Sequence, residues 1–334
     1  MIFAARGFLV SLAFFAMVYC PLASLVVLAW RCMDRIGQKS TASSANFLFG
    51  LRIFSFAVSA VIAVFFTFPS FWLMERASLD EDSGTFILAA GSLIILSAGL
   101  FRVLRAQART TSAVTQWSVG ARSMGARSID CGAAAPAWSA SMAASSTAAS
   151  SMTASMTASK GAPALILVGI RRPRVMVSDL AAIVLSDREL QVAVRHELGH
   201  VRSWDNLKKV LISATPFPGM GSLENAWREA AELAADDAAV ANRQDALDLA
   251  AALIKLSRSA KQWSEPALAS GLVSGSSSIS LRVKRLLEWS RPGRRLQRTW
   301  PWTLLVLFTM IIGIASNYGA TLALTHRLTE ILVP

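Results

Sequence analysis

The chain has 334 residues, of which 54% are apolar and only 16% carry charge. Because soluble domains carry charge on about a quarter of their residues, this composition excludes an ordinary soluble domain and predicts a membrane protein. The formal net charge of +12 does not predict nucleic-acid binding, since no basic stripe interleaved with aromatic residues occurs on one element.

Four apolar stretches without Lys, Arg, Asp or Glu predict four transmembrane helices, at residues 8–30, 53–74, 84–101 and 301–325. Each approaches or exceeds the roughly 18 to 20 residues needed to cross a hydrocarbon core. We place three spans, at about 8–30, 52–74 and 84–104, in a membrane domain of residues 1–105, and the fourth within 300–325. The first stretch is too long for the apolar region of a signal peptide, so we interpret it as a retained anchor.

Cations in short loops predict the orientation, because loops rich in Lys and Arg remain in the cytoplasm. The loop after the first span is assigned Arg31, Arg35, Lys39 and Arg52, whereas the loop after the second span has one Arg among four acids. Further arginines follow the third span and precede the fourth. The predicted location is the inner (cytoplasmic) membrane, with both termini outside, residues 102–300 in the cytoplasm, and cations facing the lipid bilayer.

Residues 106–160 shift in composition to Ala, Ser, Thr and Met, and the SMTA motif occurs there twice in succession. The density of Ser and Thr predicts a flexible linker. The three cysteines, Cys20, Cys32 and Cys131, have neither metal nor redox spacing, so no disulfide framework is predicted.

After the linker, residues 161–292 are predicted to form an α+β domain. It opens with two short β runs, 163–169 and 174–178, around a turn. The segment that follows is predicted as one helix that begins with a capping box of Ser186 and Glu189 and is bounded by Pro216.

The hexapeptide RHELGH at 195–200 contains two of the three histidines of the chain. A chance H-E-x-x-H is expected about once in a thousand such chains. The spacing of four places His196 and His200 on one helical face, where two imidazoles can bind one Zn²⁺ and leave room for a third ligand. Glu197 can then take the proton of a water that the metal acidifies, so that hydroxide attacks a peptide carbonyl.

No third histidine fits, because Ser203 and Asn206 stand where the metzincin motif continues and His326 lies beyond the last span. A carboxylate is therefore expected. The next predicted helix, about 223–241, carries three acids on one face: Glu229, Glu232 and Asp236. In the pattern E-x-x-x-D, Glu232 can bind metal and Asp236 can hold the far nitrogen of a ligating histidine. The alternative is a solvated acidic face, the interpretation we give Asp237.

The motifs RHELGHVRSWDNL and AAELAADDAAV, with GIRRPRVMVS and SSISLRVKRLLE, resemble the BlaR/MecR-type membrane metallopeptidases, metallopeptidase family 56, of the gluzincin kind. The resemblance covers about residues 161–290. It implies zinc held by His196, His200 and Glu232, Glu197 as general base, and Asp236 and Asp205 supporting the ligands. It also implies that a sheet-edge strand, 163–169 or 174–178, binds substrate by strand addition.

The expected fold is a mainly α multi-pass membrane protein with four transmembrane helices and a cytoplasmic α+β zincin-like (gluzincin) peptidase domain. The expected function is a zinc endopeptidase that cuts a cytoplasmic regulatory protein, such as a transcriptional repressor. The large extracellular sensor domain of the family is expected to be lacking, since about nine residues follow the last span. An HtpX/Ste24-type quality-control protease and a non-proteolytic signalling protein with a vestigial zinc site remain alternatives.

Overall fold

A computed structural model describes residues 2–35, 44–74, 83–122, 127–130, 165–170, 173–259, 270–271, 276–290 and 318–332. Cys131, most of the predicted linker and most of the predicted fourth span lie outside the described residues.

The N-terminal part contains three helical segments that are long and apolar enough to cross a membrane, in agreement with the first three predicted spans. These segments are Ala4–Cys32, Ala45–Met74 and Thr85–Ser112. They belong to α1 (Ile2–Arg35), α2 (Ser44–Ile62), a π-helical segment (Ala63–Thr67), α3 (Phe68–Met74) and α4 (Ser83–Arg122). Helix α1 packs against both α2 and α4.

Two predicted boundaries differ from the structure. Helix α2 begins at Ser44, so Arg52 lies inside it rather than in the preceding loop, and this arginine is 1% exposed. Because Arg52 is charged, it was assigned to a loop. The composition of the sequence does not show whether a cation has buried partners. Helix α4 continues to Arg122, so residues 106–122 are helical where a linker was predicted. The Ala, Gln and Arg residues of this segment are good helix formers, and the prediction gave them too little weight.

A four-stranded antiparallel sheet precedes and flanks the motif helices. Its strands are β1 (Arg127–Asp130), β2 (Leu165–Val168), β3 (Arg174–Val177) and β4 (Ser270–Gly271), in the order β1-β3-β2-β4. Strands β2 and β3 match the two predicted β runs. Each has a neighbour on both sides, so the prediction that one of them forms a sheet edge is wrong. The edges come from β1 and β4, whose short segments carry no recognisable strand pattern.

The remaining described elements are helical. They are α5 (Asp179–Val184), α6 (Asp187–Arg202), α7 (Asp205–Ala214), α8 (Gly221–Ala239), α9 (Arg243–Ser259), α10 (Ser276–Leu287) and α11 (Tyr318–Leu332). Helix α6 packs against α8, α9 and the sheet, and α10 packs against α9 and α8. Their shared core buries aliphatic side chains of β2, β3, α6, α9 and α10. Helix α11 contains the described end of the predicted fourth span and packs against α3.

The motif helix is two helices rather than the one that was predicted. Its start is confirmed, because the Ser186 hydroxyl accepts from the backbone N–H of Glu189 while the Glu189 carboxylate accepts from that of Ser186. The chain then breaks at Trp204, whose φ of 57° is left-handed. Such a conformation costs a non-glycine residue energy and is invisible to apolar periodicity. The break turns Asp205 back toward α6.

A close approach between α6 and α8 positions the two motif helices. A Cβ atom at Gly199 would lie 3.2 Å from the Cα atom of Ala235. Glycine therefore allows the backbones to meet between the two histidines of α6, where a larger side chain would separate the helices.

The connection between α7 and α8 is embedded among the membrane helices. The Tyr19 hydroxyl, near the middle of the first candidate span, donates to the Pro216 carbonyl at 3.2 Å. Met220, Leu223 and Trp227 are each 1% exposed and belong to a core shared with α1 and α2. Irregular backbone beside apolar helices needs hydrogen-bond partners within the protein, because apolar side chains offer none.

Arg52 of α2 supplies several of these partners. Its guanidinium donates to the Thr215 carbonyl at 2.6 Å, to the Thr215 hydroxyl at 3.0 Å and to the Ile212 carbonyl at 3.3 Å. It also forms an ion pair of 2.9 Å with Glu224 in the first turn of α8. A buried cation thus satisfies carbonyls at the C-terminal end of α7 and joins that end to α8.

We expect Arg52→Met to destabilise the protein by about 3 to 5 kcal/mol, because Glu224 and the α7 carbonyls then lose their buried cation. Thermal unfolding of the full chain in detergent measures this loss. Arg105→Met, at an exposed position of α4, is the matched control and should leave the transition unchanged. The double variant Arg52→Met/Glu224→Gln should recover part of the loss, and equal transitions for Arg52→Met and wild type would contradict the assignment.

We expect Gly199→Leu to cost about 1 to 3 kcal/mol, because the added side chain must push α8 away from α6. The matched control is Gly221→Leu, where an added Cβ meets nothing within 4 Å. Comparing the two melting temperatures checks the prediction, which is wrong if both variants melt together.

Candidate metal centre

Helix α6 brings the two histidines of the motif together in the protein interior. Their ring centroids are 4.9 Å apart with planes at 84°. His196 is 0% exposed and His200 is 2% exposed. This is the one-turn spacing that lets two imidazoles face one point.

Helix α8 adds the Glu232 carboxylate at that point. Its Oε2 lies 3.5 Å from His196 Nε2 and its Oε1 lies 3.6 Å from His200 Nε2. The ligand atoms of the three residues all lie within 4.8 Å of one another. Tetrahedral zinc with bonds of about 2.0 to 2.2 Å separates its ligand atoms by about 3.3 to 3.5 Å, so the spacing fits an ion.

Two further carboxylates hold the opposite edges of the imidazole rings. Asp205 Oδ2 lies 2.7 Å from His200 Nδ1, and Asp236 Oδ1 lies 2.9 Å from His196 Nδ1. A carboxylate at Nδ1 fixes the proton there and leaves Nε2 as the ligating atom. The helix break at Trp204 is what allows Asp205 to reach the ring.

Glu197 directly follows His196 in α6 and is 0% exposed. Solvent reaches the cluster at Glu232, whose side chain is 11% exposed. The structure thus gathers all six residues that sequence reasoning selected: His196, Glu197, His200, Asp205, Glu232 and Asp236.

The remaining candidates lie elsewhere. Glu229 is exposed on α8, and Asp237 forms an ion pair of 2.7 Å with Arg285 at the surface, as predicted for Asp237. His326 lies on α11, and Cys20 and Cys32 lie on α1.

One residue of the site was missed. Arg282 of α10 is 1% exposed and donates to both Glu232 and Asp236. The signal was available in SSISLRVKRLLE, because Arg282 falls at helical spacing between Ile279 and the buried Leu286. A charge at a core-facing position of an amphipathic helix indicates a buried partner.

The charges around the cluster shift its titrations in opposite directions. Burial alone would lower the pKa of His196, but hydrogen bonds with Asp236 and Glu232 raise it to about 9. Burial alone would raise the pKa of Glu232, but Arg282 and the histidines hold it at about 2. Against the same burial, Arg282 holds the pKa of Asp236 well below its usual range. Without metal, the cluster therefore favours the protonated form of His196 and the ionised forms of Glu232 and Asp236.

A divalent metal ion fits this donor set. Four acids are buried there, Glu197, Asp205, Glu232 and Asp236. Arg282 and Lys208 are the basic side chains paired with them among the described residues. The Nε2 atoms of both histidines are buried, and the Glu232 oxygens that face them lie 3.5 and 3.6 Å away, at the long limit of hydrogen bonding. A dication satisfies both the charge and the two nitrogen lone pairs.

Comparison with known proteins agrees with this geometry. Residues 141–286 match the family model described as BlaR1 peptidase M56. No curated protein and no solved structure matches the chain. The matched range includes α6, α8 and all of α10 except Leu287, with every residue of the candidate centre, and it supports the family resemblance that the motifs carry.

Proposed function

We propose that this protein is an integral-membrane zinc endopeptidase of the BlaR/MecR type. The observation that carries the proposal is the buried His196, His200 and Glu232 cluster with Glu197 beside it, inside a segment that matches a peptidase family. The intact Glu197 argues against a vestigial site. The family match gives no support to the HtpX/Ste24-type alternative.

Bound zinc would supply a Lewis acid that polarises a peptide carbonyl and acidifies water. The residues of the chain supply the rest. Glu197 acts as general base, accepting the proton of the attacking water and delivering it to the leaving amine. Asp236 and Asp205 keep the two imidazoles oriented through their Nδ1 atoms, so that the Nε2 atoms hold the metal.

The substrate we propose is a cytoplasmic regulatory protein, such as a transcriptional repressor. The cytoplasmic side is supported by the contacts of α7 and α8 with the first half of α2, which follows the cations Arg31 and Arg35 at the end of α1 and Lys39. Cations near span ends remain cytoplasmic. The termini then lie outside, and the repressor as substrate rests on analogy with the family.

We expect the purified full-length chain to bind about one zinc per molecule and Glu232→Ala to lose it, because a catalytic site needs three protein ligands. The matched control is Glu229→Ala, which removes an exposed acid from the same helix. Elemental analysis after dialysis against limited chelator measures the metal content. Equal zinc content in Glu232→Ala and wild type would show that Glu232 is not a metal ligand.

We expect Glu197→Gln to keep zinc but lower peptide cleavage by about 10²- to 10⁴-fold, since it removes a general base and no ligand. The substrate is identified by comparing new protein N-termini in cells that express wild type or Glu197→Gln. N-termini found with wild type and missing with the variant identify the cleaved protein. Unchanged cleavage in Glu197→Gln would overturn the mechanism.

A further inference from the structure

We propose that Arg282 is a positioning residue of the metal centre, which directs one oxygen of Glu232 to the metal and holds Asp236 against His196. The proposal rests on the proposed zinc site. It concerns a residue of α10 that lies in the segment SSISLRVKRLLE, outside the H-E-x-x-H and E-x-x-x-D motifs.

The first contact is a fork on Asp236. Arg282 Nε donates to Asp236 Oδ2 at 2.8 Å, and Nη2 donates to Oδ1 at 2.7 Å. The same Oδ1 lies 2.9 Å from His196 Nδ1. Two parallel hydrogen bonds fix the plane of a carboxylate, which one point charge cannot do. Arg282 therefore orients the His196 ring through Asp236.

The second contact distinguishes the two oxygens of Glu232. Arg282 Nη1 donates at 2.9 Å to Oε2, which also lies 3.5 Å from His196 Nε2, whereas Oε1 lies 3.6 Å from His200 Nε2. A guanidinium on Oε2 withdraws electron density from that oxygen and favours Oε1 as the metal ligand. Glu232 would then hold a metal through one oxygen, and a coordination position would remain available for water, as a catalytic site requires.

A second ion pair joins α8 and α10 and allows the role of Arg282 to be separated from simple attachment of the two helices. Arg285 pairs with Asp237 at 2.7 Å on the same two helices, but these side chains are 39% and 37% exposed. Arg282 is 1% exposed and its partner Asp236 is 2% exposed. Only the inner pair contacts metal-centre residues, so the outer pair provides a matched control.

The test replaces zinc with Co²⁺ in the full-length protein and compares wild type, Arg282→Met, Arg282→Lys and Arg285→Met. Visible absorption of Co²⁺ reports coordination number, and competition with a chelator reports affinity. We expect Arg282→Met to weaken metal binding by about 10- to 100-fold, the range found when supporting partners of ligands are removed. Its spectrum should shift toward higher coordination as Glu232 binds through both oxygens.

Arg282→Lys keeps the charge but loses the fork, so it separates folding from positioning. We expect its metal-free melting temperature to stay near that of wild type, with a Co²⁺ spectrum that remains altered. Arg285→Met should match wild type in both readouts. A wild-type spectrum and affinity in Arg282→Lys and Arg282→Met would overturn the positioning role.

The two proposals fail in different ways. Absence of stoichiometric metal in the wild-type chain would sink the proposed function and this inference with it. Metal binding and Glu197-dependent cleavage in wild type, together with unaltered Arg282 variants, would sink the inference alone.

Discussion

The contact of α6 with α8 is the constraint on which the rest of this structure depends. It brings acids of one helix against the histidines of the other in an interior where unpaired charge is costly. Gly199 permits the approach by leaving the space that a side chain would fill against Ala235. The remaining features of the site follow from compensating the charge that this contact gathers: Lys208 beside Asp205, Arg282 on Glu232 and Asp236, and donor atoms suited to a dication.

The sequence predicted most of this centre because its motifs are local. H-E-x-x-H needs only a helix, so one-turn spacing selected His196 and His200. On the next helix the spacing offered Glu229, Glu232 and Asp236, and the family resemblance implied Glu232 as the ligand. The capping box was equally local, since Ser186 and Glu189 are three residues apart. The length and apolarity of uncharged runs likewise located the three candidate spans, since these two properties need no tertiary information.

The features that the sequence did not reveal depend on tertiary contacts. Trp204 adopts a left-handed conformation that no propensity favours, and the fold accepts it because the break brings Asp205 to His200. Arg52 resembled a loop cation because its partners, Thr215 and Glu224, are more than 160 residues away in the chain. Arg282 stands at a core-facing position that the helical spacing indicates, but the carboxylates that it binds could not be identified because they lie on another helix. Buried charges whose partners are distant in sequence are the ones that composition misassigns.

Arg52 and Arg282 contact the two halves of α8. Arg52 comes from a membrane helix and holds Glu224 in the first turn, whereas Arg282 comes from α10 and holds Glu232 and Asp236 farther along. Eight residues separate Glu224 from Glu232, which is about 12 Å along a continuous helix. Because a helix of this length transmits position with little bending, the membrane helices help to fix where Glu232 stands relative to α6. The candidate metal centre therefore depends on the membrane helices as well, and a fragment that begins after α4 would lack one of the two anchors of the helix that carries Glu232.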